Sequence, residues 1–301
     1  MKKIVILGGG ESGVGAALLA KNKGFDVFLS DKSVLFEKFR QELRQNDIAF
    51  EEGQHTFEKI LEANEIIKSP GIAEKGELFE QIKAKQISVI SEIEFASRFT
   101  DAKIVAITGS NGKTTTTLLV HHLFEQAGIH AGLAGNVGSS FAKAVLEEKL
   151  DWFILEVSSF QLDNCYDFRP HIAVLTNITP DHLDRYDYQF QNYIDAKFRI
   201  MQKQQKDDFF ICFADHEPIL SEIAKKTINS QQITVSLNDS QASAFVNETD
   251  IAVTFQEKKY VFALAEIPLK GLHNALNAAC AILICLCAGI DADKIRVGFK
   301  G

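Results

Sequence analysis

Lys103-Ile104-Val105-Ala106-Ile107-Thr108-Gly109-Ser110-Asn111-Gly112-Lys113-Thr114-Thr115 runs from apolar, β-branched residues through a glycine loop into residues that open a helix. A strand over Lys103–Thr108 and a helix over Thr114–Ala127 make one βα unit of an α/β sheet. In such a loop the backbone N–H groups of Gly109, Ser110, Asn111 and Gly112 can wrap a polyphosphate, Lys113 can reach its outer phosphates, and the Thr114 hydroxyl can bind Mg²⁺. Ile107 stands where the first glycine of the G-x-x-x-x-G-K-[ST] pattern belongs, so the Gly-Lys-Thr ending carries the reading.

Outward toward the amino terminus, a second βα pattern repeats the theme. Lys3–Leu7 reads as a strand, Val14–Lys23 as a helix closed by Gly24, and Phe25–Leu29 as a strand ending at Asp31. Runs at Glu65–Lys68 and Ile87–Ile90 alternate with the amphipathic Leu78–Lys85, the pattern of a parallel sheet with crossover helices. Between the first strand and helix, Gly8-Gly9-Gly10-Glu11-Ser12-Gly13 satisfies G-x-G-x-x-G, with Asp31 18 residues beyond Gly13. A dinucleotide and a nucleotide diphosphate sugar meet that geometry equally well, because both present phosphates to a helix N-terminus.

Toward the carboxyl terminus, Glu156 interrupts the apolar strand Trp152–Val157, where an acid beside a phosphate loop suits a metal ligand. After the strand Ile172–Asn177, the polar run to Asp184 contains His182, a candidate metal ligand that Asp181 could orient. Lys197, in the amphipathic stretch Tyr193–Ile200, reads on its own as an ordinary helical lysine with a packed stem and a solvated head.

Composition bounds the rest. Lys plus Arg at 32 against Asp plus Glu at 40 gives a net charge of −8, leaving no broad basic field for nucleic acid. The apolar stretch Ala278–Ile290 falls short of the roughly 18 residues that span a bilayer, and Lys2-Lys3 precede too short an apolar run for a signal peptide. A cytoplasmic chain is expected. The five cysteines, Cys165, Cys212, Cys280, Cys285 and Cys287, lack C-x-x-C spacing and read as buried free thiols. The fold class expected is α/β: a Rossmann-like domain over residues 1–98, then a P-loop-containing, ATPase-like α/β domain over residues 99–301.

Six ordered motifs together resemble the Mur ligases of peptidoglycan synthesis. They are Gly109 to Thr115, Gly135-Asn136-Val137-Gly138, Leu155 to Leu162, Asp181 to Tyr186, Ala196-Lys197-Phe198-Arg199 and Gly271 to Asn277. Ser158-Ser159-Phe160-Gln161 looks like the D-glutamate-adding branch. The resemblance implies ATP-dependent ligation of D-glutamate to UDP-N-acetylmuramoyl-L-alanine through an acyl phosphate, with two Mg²⁺ ions and no nucleic-acid or membrane partner, by a monomer serving cell-wall synthesis and division.

Carried onto this sequence, it implies that Gly109 to Thr115 hold ATP, with Lys113, His182 and Lys197 catalytic and Asn274 and Asn277 toward the nucleoside. Thr114 and Glu156 would hold one Mg²⁺; His182 and Lys197, the latter as a CO₂-derived Nζ-carbamate, would hold the other. Glu11, Ser12 and Gly13 would meet the UDP diphosphate, Asp31 the uracil, and Ser69-Pro70-Gly71 the far side of the uridine. Asn136, Ser158, Gln161 and His182 would meet the rest of the UDP substrate. Lys32-Ser33 departs from the Thr-Arg pair common in the family at the uracil end. The family has a third, carboxy-terminal domain that supplies D-glutamate contacts. This sequence ends at Phe299-Lys300-Gly301, so a truncated, poorly active form is expected. An NAD-dependent oxidoreductase resting on Gly8 to Gly13 with Asp31, and a non-catalytic UDP-sugar and nucleotide binding module, are the competing readings.

Overall fold

The computed structural model describes residues 1–147 and 149–300; Glu148 and Gly301, both within the expected central domain, lie outside the described residues. The chain forms two compact units. One comprises Met1–Asp101, Ala134–Lys149 and Phe160–Phe168, the other Ala102–Leu133, Leu150–Ser159 and Arg169–Gly301.

In the amino-terminal unit five parallel strands, β1 (Lys3–Leu7), β2 (Asp26–Asp31), β3 (Ala49–Glu52), β4 (Glu65–Lys68) and β5 (Ser88–Ser91), lie in the order β3-β2-β1-β4-β5. Strand order therefore reverses between β1 and β4, and an open parallel sheet binds its ligand at the crevice beyond such a switch point. The helix Glu11–Asn22 begins right after Gly10, three residues earlier than the expected Val14, because the glycine loop is shorter than its sequence suggests. One core of this unit gathers Val5, Leu7, Ile66, Leu78 and Ile82.

Residues 134–149 and 160–168 pack with this unit rather than with the second, so the compact units do not divide at residues 98–99 alone. The reason lies at Glu92, 2% exposed, whose Oε1 accepts from the Ser140 hydroxyl (2.8 Å) and the Ala142 N–H (2.6 Å) at the start of the helix Phe141–Glu147. Burial pushes the Glu92 carboxyl up to about 7, against the pull of those donors. Glu94 works alongside it, its Oε2 accepting three successive N–H groups from Tyr166, Asp167 and Phe168.

In the second unit the sheet adds β6 (Lys103–Thr108), β7 (Ala131–Gly135), β8 (Trp152–Glu156), β9 (Ile172–Leu175), β10 (Phe209–Phe213), β11 (Gln231–Ser236), β12 (Ala244–Val246), β13 (Asp250–Phe255) and β14 (Lys258–Ala263). Their order is β14-β13-β12-β11-β10-β9-β6-β8-β7, and the last two residues of β7 belong to the first unit. β6 pairs in parallel with β8 on one side and β9 on the other, which brings three strand ends together at the phosphate loop. β12–β13 and β13–β14 are antiparallel. The helices Lys113–Gln126 and Leu272–Cys287 cover this sheet, and Ala278 to Leu286 are buried without interruption. Among the described residues no helix is long and apolar enough to cross a membrane. All five cysteines are free, four of them buried and Cys287 half-buried. Burial pushes the Cys212 thiol up to about 12, which keeps it protonated and inert.

Candidate functional site

In the second unit the site starts from Gly109, placed by the end of β6. Its φ is +153°, and a Cβ there would run into Thr176 Oγ1 and approach Asn177 N and O at 3.2 Å, so only glycine lets the two loops lie this close. Hydrogen bonds fix the approach. Ser110 N donates to Asn177 O (2.8 Å), Asn111 N to Asn177 Oδ1 (2.9 Å), and Thr176 Oγ1 to Asn111 O (2.7 Å). The Ser110 hydroxyl donates to Thr179 O (3.0 Å) and lies 3.1 Å from Tyr193 Oη. The loop is thus shaped by the protein's own hydrogen bonds.

Lys113 opens the helix and folds back, its Nζ donating to Gly109 O (2.9 Å) and Ser110 O (3.0 Å). Thr114 Oγ1 donates to Glu156 Oε2 at 2.7 Å, so a hydroxyl and a carboxylate converge at the helix start, and Glu156 is 1% exposed. Thr115 follows half-buried in the first turn. The helix Phe190–Phe198 carries Lys197, which is 1% exposed. Its Nζ donates to Gly109 O at 2.8 Å and sits 4.6 Å from the centre of the Tyr193 ring. The surface lysine expected from the amphipathic pattern is in fact buried, because Tyr193 and the loop carbonyl close over its head.

Asn277, buried, lies against Gly112, where a Cβ would come within 2.6 Å of its Oδ1; its Nδ2 is 3.4 Å from Asn274 Oδ1. The Gly271-to-Asn277 motif therefore meets the phosphate loop directly. His182 sits apart in character, with a 58% exposed side chain, φ of +49° and its Nε2 3.6 Å from Asp181 Oδ2. Among the described residues, no three His, Cys, Asp or Glu side chains gather to cage a metal.

In the amino-terminal unit a cleft of about 500 Å³ opens at the switch point, and Glu11, Ser12, Asp31, Ser69, Pro70 and Gly71 all line it. Gly13 supports it from below, since a Cβ there would collide with the Gly8 carbonyl. Asp31 ties the loop, Oδ2 accepting the Gly9 N–H (2.6 Å) and Oδ1 the Ser33 N–H (2.7 Å). Asn136 is exposed and Gln161 buried in this unit, while Ser158 is half-buried in the other. Sequence reasoning missed His55, which lines the same cleft beside Asp31 and Lys32. It is a lone histidine in a polar loop, and only the fold joins it to its partners.

Residues 107–285 match the Mur ligase middle domain and residues 3–78 the MurD N-terminal domain. The UDP-N-acetylmuramoylalanine--D-glutamate ligase of Christiangramia forsetii is 49% identical over 98% of this chain and 66% of its own length. That of Bacteroides thetaiotaomicron is 50% identical over 100% of this chain and 68% of its own. The chain thus spans about two thirds of the curated relatives it matches. The crystal structure of the UDP-N-acetylmuramate:L-alanyl-gamma-D-glutamyl-meso-diaminopimelate ligase from Neisseria meningitides superposes with a TM-score of 0.69 at 19% identity, covering 100% of this chain and 98% of that one, a likeness of fold. On the two domain matches and the identity to the Bacteroides protein, the chain belongs to the Mur ligase family, in the MurD branch.

Proposed function

We propose that this chain carries the nucleotide sites of an ATP-dependent ligase that joins D-glutamate to UDP-N-acetylmuramoyl-L-alanine. The carrying observation is the Gly109 carbonyl, which accepts from both Lys113 and Lys197 beside the Thr114–Glu156 pair. An NAD-dependent oxidoreductase would give those four residues no task, and a binding module would not need a buried lysine there. In this reading residues 1–98 take the UDP substrate and residues 99–301 take ATP, with the protein a monomer in the cytoplasm, where both nucleotides are drawn.

The donors suit Mg²⁺. Thr114 Oγ1 and Glu156 Oε2 are hard oxygens at one point, and Mg²⁺ completes its shell with phosphate oxygens and water rather than an all-protein cage. Those two residues would hold the first ion; His182 and Lys197 as its carbamate would hold the second. A carbamate keeps one N–H on Nζ, so the modified side chain would retain a donor for Gly109 O. Bound Mg²⁺ offsets the repulsion between ATP and the incoming carboxylate.

The chain's own residues do the rest. Lys113 exchanges its two carbonyl acceptors for outer phosphate oxygens, while Asn177 and Thr176 hold the loop still, so little reorganisation accompanies binding. Asn274 and Asn277 hold the nucleoside end near Gly112. The alanine carboxylate attacks the γ-phosphorus and ADP leaves; the D-glutamate amine then attacks the acyl carbon and phosphate leaves.

Calorimetric titration tests the assignment of the amino-terminal cleft. UDP-N-acetylmuramoyl-L-alanine is expected to bind saturably and NAD to give no heat beyond dilution. Tight NAD binding without a response to the UDP substrate would remove the reading.

A further inference from the structure

The end of β2, the end of β3 and the loop after it build a relay that no phosphate loop requires. Ser30, fully buried on β2, lies 2.7 Å from Glu51 Oε1 and 2.7 Å from His55 Nδ1. Glu51 also accepts from the Thr56 N–H (2.7 Å) and the Thr56 hydroxyl (2.6 Å). Burial alone would raise the Glu51 carboxyl, but these Thr56 and Ser30 donors and the Lys59 ammonium together hold it below the usual carboxylate range. Glu51 is therefore an acceptor only. The single Ser30 proton goes to it, and the Ser30 oxygen must then accept from His55, which places the imidazole proton on Nδ1.

That fixes what the ring shows to the cleft. With Nδ1–H turned to the buried serine, Nε2 is the half-buried ring's bare lone pair, and His55 lines the cleft together with Asp31, Lys32, Ser33 and Ser69 as well as two adjoining hollows. The neighbouring donors in that cleft are backbone N–H groups, Lys32 and the hydroxyls of Ser12, Ser33 and Ser69, which suit a phosphate; a neutral acceptor suits a ligand N–H or O–H instead.

We infer that His55 is a specificity-determining residue of the amino-terminal cleft, its Nε2 accepting a hydrogen bond from a donor on the nucleoside of the UDP substrate, either the uracil N3–H or a ribose hydroxyl. The inference rests on the UDP-substrate reading of that cleft. Burial lowers the His55 pKa, the Asp31 and Glu51 carboxylates oppose this in part, and Lys32 adds to it, so the ring is neutral at pH 7. The other charged groups are Glu11 in the cleft itself and Glu58, Lys75, Glu77 and Lys85 in the adjoining space.

The test is calorimetry with UDP-N-acetylmuramoyl-L-alanine, whose diphosphate diester does not titrate across the range used. His55→Phe is expected to weaken binding about tenfold, and His55→Gln, which returns an acceptor oxygen near the Nε2 position, to recover most of it. Wild-type affinity is expected to stay level from about pH 8 to the ordinary histidine value and to fall below it, since protonation turns Nε2 into a donor; His55→Gln is expected to abolish that fall. Analogues with N3-methyluracil or dideoxyribose identify the donor: the correct one binds wild type and His55→Phe alike. Wild-type binding that is matched by folded His55→Phe at every pH overturns the inference and leaves the cleft assignment standing. A wild-type protein that ignores the UDP substrate overturns both.

Discussion

In a protein spanning the full length of the curated relatives, replacing Lys197 with alanine is expected to lower ligation by roughly 10²–10³-fold, the loss typical of a preorganised charge-stabilising group, while leaving the protein folded. The side chain is 1% exposed and its head touches the Gly109 carbonyl, so the substitution empties space at the phosphate loop itself. Two roles then separate. If Lys197 acts as a carbamate ligand, a short carboxylate such as acetate fills the vacated position and restores part of the rate. Were it only a cation packed on Tyr193, Lys197→Arg would do better than alanine and acetate would do nothing. Turnover near wild type for Lys197→Ala would remove the residue from the chemistry.

Gly109→Ala is expected to cost roughly 100-fold in MgATP affinity, the scale set by ångström-level misplacement of a binding group. The new methyl meets Thr176 Oγ1 with backbone of Asn177 close behind, and a φ of +153° is unfavourable for alanine whatever the space. The loop must move away, breaking the bonds to Asn177 and shifting the carbonyl that both lysines share. Strain and overpacking should also lower stability by roughly 1–3 kcal/mol, read as a drop in unfolding midpoint. UDP-substrate binding in the amino-terminal cleft should be unchanged. Undiminished MgATP binding by this variant would mean the loop does not cradle phosphate.

What could be read in the sequence was local. Strands Lys103–Thr108, Lys3–Leu7 and Glu65–Lys68 stand where periodicity puts them, because each is a short apolar run closed by glycine or polar residues. What could not be read depends on partners far along the chain. The β13–β14 hairpin turns on Gln256 and Glu257, both with positive φ, where a turn signal would have been Asn-Gly or Asp-Gly. Lys197 follows the amphipathic pattern of a solvated residue, and its burial comes from a carbonyl 88 positions earlier. His55 owes its tautomer to Ser30 and Glu51, on two different strands. Residues 134–149 join the first unit through the carboxylate of Glu92, which no pattern of hydrophobicity announces.

The central claim, that ligation proceeds by phosphoryl transfer to the alanine carboxylate, is tested most directly by following oxygen. UDP-N-acetylmuramoyl-L-alanine carrying oxygen-18 at both carboxylate oxygens is incubated with a protein spanning the full length of the curated relatives, ATP, Mg²⁺ and D-glutamate, and the released phosphate is examined by mass spectrometry. The oxygen that attacks the γ-phosphorus stays with phosphate when the amine displaces it, so each phosphate should carry one labelled oxygen. Unlabelled phosphate formed alongside the D-glutamyl product would contradict the account.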